Sequence, residues 1–227
     1  HRIIPIFEKE HAFYSKFNPE STYYLGHPLT LSHLSSYHVS SNEPYIGLFP
    51  GSRRSEINDH LPVFCQLISQ IASLNASFSI FCSQIQLHPQ IQTILDANNL
   101  GSIPIKSDIE PITFAITAPG TNTLRLALQS IPMIIIGQLR PLEYYLAKYI
   151  YRVKLPYIGL PNIIMDKAIC PEYIQPSMKT TPIAHDLIQL LNDQEKIESM
   201  LDQFKIIREK ITAPSDYWDQ IAAIVSE

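Results

Sequence analysis

The sequence predicts an α/β protein: a Rossmann-like parallel sheet with crossover helices, followed by C-terminal helices. Two observations carry this expectation. From Tyr45 onward, short apolar runs alternate with stretches of helical spacing, the pattern of parallel strands joined by crossover helices. Hydrophobic residues make up 45% of the 227 and charged ones only 17%, against roughly 25% charged in an average globular chain, so the chain is built to bury a core. This length suits one large domain with appendages, not two full lobes.

Residues 1–42 carry turn punctuation at Asn18-Pro19, His27-Pro28, Ser35-Ser36 and Ser40-Ser41-Asn42, and only short apolar runs. They read as a lead-in, and 43–227 as the folded domain. Strands are expected at Tyr45–Phe49, Phe78–Cys82, Ile103–Ile105, Phe114–Thr117 and Met133–Ile136. Between the first two, Val63, Phe64, Leu67, Ile68, Ile71 and Leu74 recur at helical spacing, with Pro62 expected in the first turn, where its missing N–H costs nothing. Leu124 to Ser130, ended by Pro132, and Leu142 to Tyr151 read as further crossover helices. In the tail, Thr181-Pro182 opens a helix bearing Ile183, Leu187, Leu190 and Leu191. Glu195 to Lys210 forms another, and Ser215 caps a last one through Val225, anchored by Tyr217 and Trp218.

Composition removes several function classes. Lys and Arg total 17 against 21 Asp and Glu, a net charge of −4, so no basic excess exists to neutralise a phosphate backbone and nucleic acid is not an expected partner. Glycine occurs only 7 times, and the sole pair within ten positions is Gly47 and Gly51. Neither G-x-G-x-x-G nor G-x-x-x-x-G-K-[ST] can be written, which excludes an NAD-type fingerprint and a Walker loop. Cys65, Cys82 and Cys170 are too few and too spread for a disulfide framework or a zinc site, and suit a reducing, cytoplasmic compartment. Cys65 falls among apolar helix positions, as a buried small hydrophobe does. The 8 histidines form no H-E-x-x-H or Cys/His cluster, so neither metal nor cofactor is expected. No apolar run approaches the roughly 18 residues of a spanning helix. The N-terminus His1-Arg2-Ile3-Ile4-Pro5 has no signal organisation and no initiator Met, as expected of an excised or processed piece.

Two loops are placed for chemistry. The first strand runs into Phe49-Pro50-Gly51-Ser52-Arg53-Arg54-Ser55-Glu56, and open parallel sheets bind ligands beyond the carboxyl ends of their strands. Gly51 allows close backbone approach, while Ser52 and Arg53 offer a hydroxyl and a bidentate anion clamp; a plain polar turn also fits these residues. The strand Phe114–Thr117 runs likewise into Ala118-Pro119-Gly120-Thr121-Asn122-Thr123, where backbone N–H groups at a helix start make an anion site. Ordinary capping by Thr121 or Asn122 fits as well. Two such loops at one sheet edge together point to a diphosphate.

The order Pro50-Gly51-Ser52-Arg53-Arg54-Ser55-Glu56, then Gly120-Thr121, Gln138-Leu139-Arg140-Pro141 with Leu146-Ala147-Lys148, and Leu160-Pro161-Asn162 resembles lipid-A-disaccharide synthase. The phrasing from Gln138 to Pro171 is similar to chlamydial members, and Phe7-Glu8-Lys9-Glu10 and Tyr24-Leu25-Gly26-His27-Pro28 extend the likeness to the start. The resemblance implies the donor-binding lobe of a two-lobed GT-B glycosyltransferase. It implies transfer of 2,3-diacylglucosamine from its UDP derivative to 2,3-diacylglucosamine 1-phosphate, with inversion, giving lipid A disaccharide 1-phosphate and UDP. Gly51, Ser52 and Arg53 would face the diphosphate, Gly120, Thr121 and Asn122 would supply helix-terminus contacts, Gln138 would bind substrate, and Asn162 would stand near the donor. Arg53 and Asn162 are the residues expected to be catalytic, with no metal.

The chain departs from that pattern in three places. Five residues after Gly120, where the family carries a glutamate that binds ribose hydroxyls, stands Arg125, a cation that cannot accept those bonds. Restoring Glu there is expected to tighten UDP binding. The stretch from Ile105 to Pro119 is short, as though a helix before the Gly-Thr loop were absent. The general-base aspartate would lie in a first lobe outside this chain, so the chain alone is not expected to turn over.

The segment Arg140 to Lys154 carries four cations and one acid among Tyr144, Tyr145, Tyr149 and Tyr151. Contact with an anionic membrane surface fits it, as does an amphipathic helix packing its aromatic side inward. With a lipid-linked donor and a lipid acceptor, a peripheral place on the cytoplasmic side of the inner membrane follows, and a homo-oligomer is left open. The competing reading is a non-catalytic UDP-sugar-binding or interaction module diverged from the family.

Overall fold

A computed structural model describes residues 2–32, 43–138, 156–175 and 179–226. Its centre is a six-stranded parallel sheet of order β3-β2-β1-β4-β5-β6. The strands are β1 Tyr45–Phe49, β2 Ser77–Phe81, β3 Ile105–Lys106, β4 Phe114–Thr117, β5 Met133–Gln138 and β6 Glu172–Gln175. The central strands are apolar on both sides: Phe114, Ala115 and Ile116, like Met133 to Ile136, are almost wholly shielded from water. Such continuous runs are what a sheet covered on both faces requires. From β1 the chain winds outward to β3, then returns to β4 and winds the other way to β6. The order therefore reverses between β1 and β4, the switch point where open α/β sheets form their ligand crevice.

Helix α1 (Glu8–Tyr14) lies in the lead-in; α2 (Arg54–Gln70) and α3 (His88–Ala97) connect β1 to β2 and β2 to β3. Helix α4 (Thr121–Leu128) connects β4 to β5, α5 (Leu160–Met165) precedes β6, and α6 (Thr180–Leu191), α7 (Gln194–Ile211) and α8 (Tyr217–Ser226) form the tail. Helix α2 packs on α3 and α6, and α4 packs on α5 and α7. Right-handed crossovers running in opposite directions from the switch point put these groups on opposite faces.

Four details differ from expectation. Helix α2 starts at Arg54, so Pro62 lies in its interior; the Glu56 carboxylate, accepting from the Arg53 backbone N–H, starts the helix two turns early. Helix α3 escapes the sequence pattern because only Ile91 and Leu95 are buried, too few anchors for a period. Strand β6, EYIQ, escapes it because its ends are polar. Tyr217 anchors α8 at 3% exposure, whereas Trp218 stands 65% exposed against it, ring centroids 5.1 Å apart at 88°.

Residues 2–32 join the C-terminal helices through hydrogen bonds to the chain after Lys210. His27 N–H donates to Ile211 O (2.8 Å) and Ala213 N–H donates to Thr30 Oγ1 (3.0 Å). Gly26 makes this joint possible: its φ is +78°, and a Cβ there would meet Thr212 O at 2.7 Å. The crossover between β3 and β4, residues 107–113, contains no helix. Beside it Tyr45 Oη contacts Ser79 Oγ (2.7 Å), Lys106 Nζ donates to Tyr45 Oη (3.1 Å), and Glu110 bonds both Tyr45 and Lys106. The expected helix over Leu142 to Tyr151 and the basic, tyrosine-rich segment lie outside the described residues. Among the described residues no helix is long and apolar enough to cross a membrane.

Candidate functional site

Strands β1 and β4 are hydrogen-bonded neighbours, with Phe49 opposite Thr117, so the turns that follow them lie side by side. Ala118 N–H donates to Phe49 O (2.8 Å) and ties the two together. In the first turn Gly51 adopts φ +119°, a conformation that side chains resist. The Glu56 carboxylate folds over this turn. Its Oε2 accepts from the backbone N–H groups of Ser52 (2.8 Å) and Arg53 (3.3 Å), and its Oε1 accepts from Arg53 Nη1 (2.7 Å). Beneath, the ring of buried His60 contacts Pro50 O at 3.2 Å.

In the second turn Gly120 has φ +138°, and a Cβ there would meet no atom within 4 Å. Glycine is therefore needed for the backbone and not for lack of room, and the space beside it is open. Gly120 is the N-cap of α4 and no side chain caps the helix; Thr123 Oγ1 donates instead to Gly120 O (2.7 Å). Neither Thr121 nor Asn122 is the capping residue.

The two turns face a cleft of about 230 Å³ lined by Gly51, Ser52, Arg53, Gly120, Thr121 and Asn122. Most of the residues expected at a diphosphate are thus brought together. The cleft also takes in Glu56, Ser83, Ser107 and Arg125, which had not been expected to contribute. Ser107 follows β3 immediately and Ser83 comes two residues after the end of β2, so the strand-end rule that picks out the first two turns points to them too. Phe49 and Phe81, stacked at 5.0 Å and 15°, also line it. The lining has two guanidiniums, a single carboxylate and several hydroxyls, a chemistry suited to a polyanion with sugar-like groups.

Asn162 does not stand with them. It is fully buried and spends its hydrogen-bonding capacity on the chain around it: Nδ2 donates to Cys170 O (2.8 Å) and Glu172 Oε1 (2.7 Å), and Oδ1 accepts from Ile169 N–H (2.8 Å) and Cys170 N–H (2.9 Å). Glu172 also accepts from Ile158 and Gly159 N–H. With its polar atoms committed within the chain, Asn162 braces the approach to β6 and is not among the described residues lining the cleft. Gln138 ends β5, and its side chain lies outside the described residues.

The three thiols are buried. Burial pushes Cys65 up to about 11 and raises Cys82 and Cys170 as well, so none is poised as a thiolate near neutral pH. Among the described residues no group of three His, Cys, Asp or Glu side chains is arranged to hold a metal ion.

The sequence model of a family described as lipid-A-disaccharide synthetase matches residues 1–225. A lipid-A-disaccharide synthase of Hydrogenovibrio crunogenus is 31% identical over 220 residues, covering 89% of this chain and 58% of that protein. One of Chlamydia trachomatis is 36% identical over 170 residues, covering 67% of this chain and 28% of that protein. The chain thus spans little more than half the length of such relatives, or less. Among solved structures, WaaG, a glycosyltransferase involved in lipopolysaccharide biosynthesis, superposes with a TM-score of 0.54 at 11% identity, covering 98% of this chain and 61% of that one. That likeness is one of fold.

Proposed function

The chain belongs to the lipid-A-disaccharide synthetase family, and on that premise we propose that it is the donor-binding part of a lipid A glycosyltransferase. The observation that carries the reading is the pair of positive-φ glycines, Gly51 and Gly120, at the ends of adjacent strands and on one cleft with Arg53. A UDP-linked diacylglucosamine would place its diphosphate against Gly51, Ser52 and Arg53 and the start of α4. As the sugar–phosphate bond breaks, charge grows on the leaving UDP. Fixed N–H groups and guanidiniums stabilise it there without a metal, because they need no reorganisation at the moment of reaction. The lipid acceptor, 2,3-diacylglucosamine 1-phosphate, would attack from the opposite face with inversion, its proton taken by a base upstream of this chain. Substrates with acyl chains place the work at the cytoplasmic surface of the inner membrane.

Calorimetric titration of the chain with UDP tests this reading. Saturable binding is expected, and Arg53→Ala should weaken it by about 1.5 kcal/mol, the low end for a charge-assisted contact, because this side chain is 78% exposed and already paired. No affinity in a folded chain would overturn the assignment.

A further inference from the structure

Arg53 and Arg125 share the cleft, but in different electrical states. The Arg53 guanidinium is 78% exposed and ion-paired with Glu56 at 2.7 Å, and Glu56 is the only carboxylate among the described residues of the lining. That pair leaves little net charge facing a ligand, and an exposed guanidinium is well screened by water. Arg125 is half-buried, and its side chain makes no ion pair or hydrogen bond among the described residues. Among the described residues, the cleft's surplus positive charge therefore resides on Arg125.

The position on α4 gives that charge a direction. Thr121, Asn122 and Arg125 all line the cleft, and residues four apart on a helix share a face. Helical side chains lean toward the N-terminus, so Arg125 lies over the turn that starts at Gly120. A lone cation near the positive end of a helix is electrostatically unfavourable. An anion bound between the guanidinium and the uncapped start of α4 reverses the sign of both interactions.

We propose that Arg125 is a diphosphate-binding residue, the principal cation for the nucleoside diphosphate, with Arg53 in a lesser role. Resting on the UDP-sugar reading of the cleft, this makes Arg125 a gain of phosphate affinity where the resemblance alone made it a lost ribose contact.

The test is titration of the full 227-residue chain and its Arg125→Gln, Arg125→Lys and Arg125→Glu variants with UDP and with uridine, folding being verified by circular dichroism. Arg125→Gln is expected to weaken UDP about tenfold or more, the scale of one charge-assisted contact, and to leave uridine binding unchanged. Arg125→Lys should retain part of the affinity, and Arg125→Glu should lose more than Arg125→Gln. Unchanged UDP affinity in Arg125→Gln, equal losses for UDP and uridine, or tighter UDP binding by Arg125→Glu would each overturn the proposal while leaving the UDP site standing. A folded wild-type chain that binds no UDP overturns both.

Discussion

The Glu56 carboxylate clasps Arg53 at both ends, accepting from its guanidinium at 2.7 Å and from its backbone N–H at 3.3 Å. One side chain thereby starts α2 and sets how much of Arg53 a ligand can use. Glu56→Gln keeps an acceptor for the turn but removes the one negative charge on the cleft. It should lower stability by about 0.5–1 kcal/mol, as the cap keeps an acceptor but loses its charge and its ion pair with Arg53, and tighten UDP binding. A thermal melt and a calorimetric titration on the same protein check both; weaker UDP binding in a folded Glu56→Gln chain would mean that the carboxylate's main service is to hold the turn in shape.

The placement of Asn162 predicts a stability phenotype without a binding one. Asn162→Ala would strand the N–H groups of half-buried Ile169 and buried Cys170 and one bond of Glu172. Leaving buried polar groups unpaired costs about 1–3 kcal/mol per group, so a loss of about 2–4 kcal/mol is expected in chemical denaturation. UDP affinity of the folded fraction should be unchanged. A drop in affinity with unchanged stability would return Asn162 to the binding machinery.

These two residues also mark what the sequence made legible. The sheet is readable because its strands are short apolar runs bounded by turns, and the strand-end rule picks out the two turns, Gly51 to Arg53 and Gly120 to Asn122, that line one cleft. Motif order conveys that Asn162 matters but not which way it faces; its side chain turns inward onto Cys170 and Glu172. Glu56 was visible as part of its motif, yet its position over Gly51 depends on a helix starting at Arg54, and Pro62 had moved that start downstream. Arg125 reads as a defect in the sequence because a missing acceptor shows there, whereas a cation with no partner among the described residues shows only in the fold.

Gly120 is predicted to be replaceable in space but not in backbone. A Cβ there meets nothing within 4 Å, so Gly120→Ala should cost about 1–3 kcal/mol from its φ alone, with no packing loss. The new methyl group would enter the open cleft, so UDP affinity should fall as well. Gly137→Ala provides the contrast: its Cβ would meet Ile174 Cδ1 at 2.8 Å and Pro119 Cγ at 2.9 Å, a packing penalty at ordinary φ.

The joint between lead-in and domain should be sensitive to mild acid through His27. This residue is buried, its Nδ1 accepts from Leu29 N–H at 3.1 Å, and its ring packs on Phe7 at 5.3 Å. Burial lowers its pKa, and the nearby Glu10 carboxylate opposes the shift only in part. Protonation must release Leu29 and place a charge in a buried site. The unfolded chain, with an ordinary histidine value of about 6.5, therefore takes up the proton first as pH falls. The stability that neutral His27 supplies is complete above about pH 6.5 and is lost as pH drops from there through the lower folded value, with a slope of at most about 1.4 kcal/mol per pH unit for one proton. Melting temperatures of the wild type and of His27→Gln, which keeps an acceptor but does not titrate, should diverge in slope below about pH 6.5 and run parallel above it. Parallel curves throughout would show that His27 takes up its proton as readily in the folded chain as in the unfolded one, and would remove the joint as the acid-sensitive element.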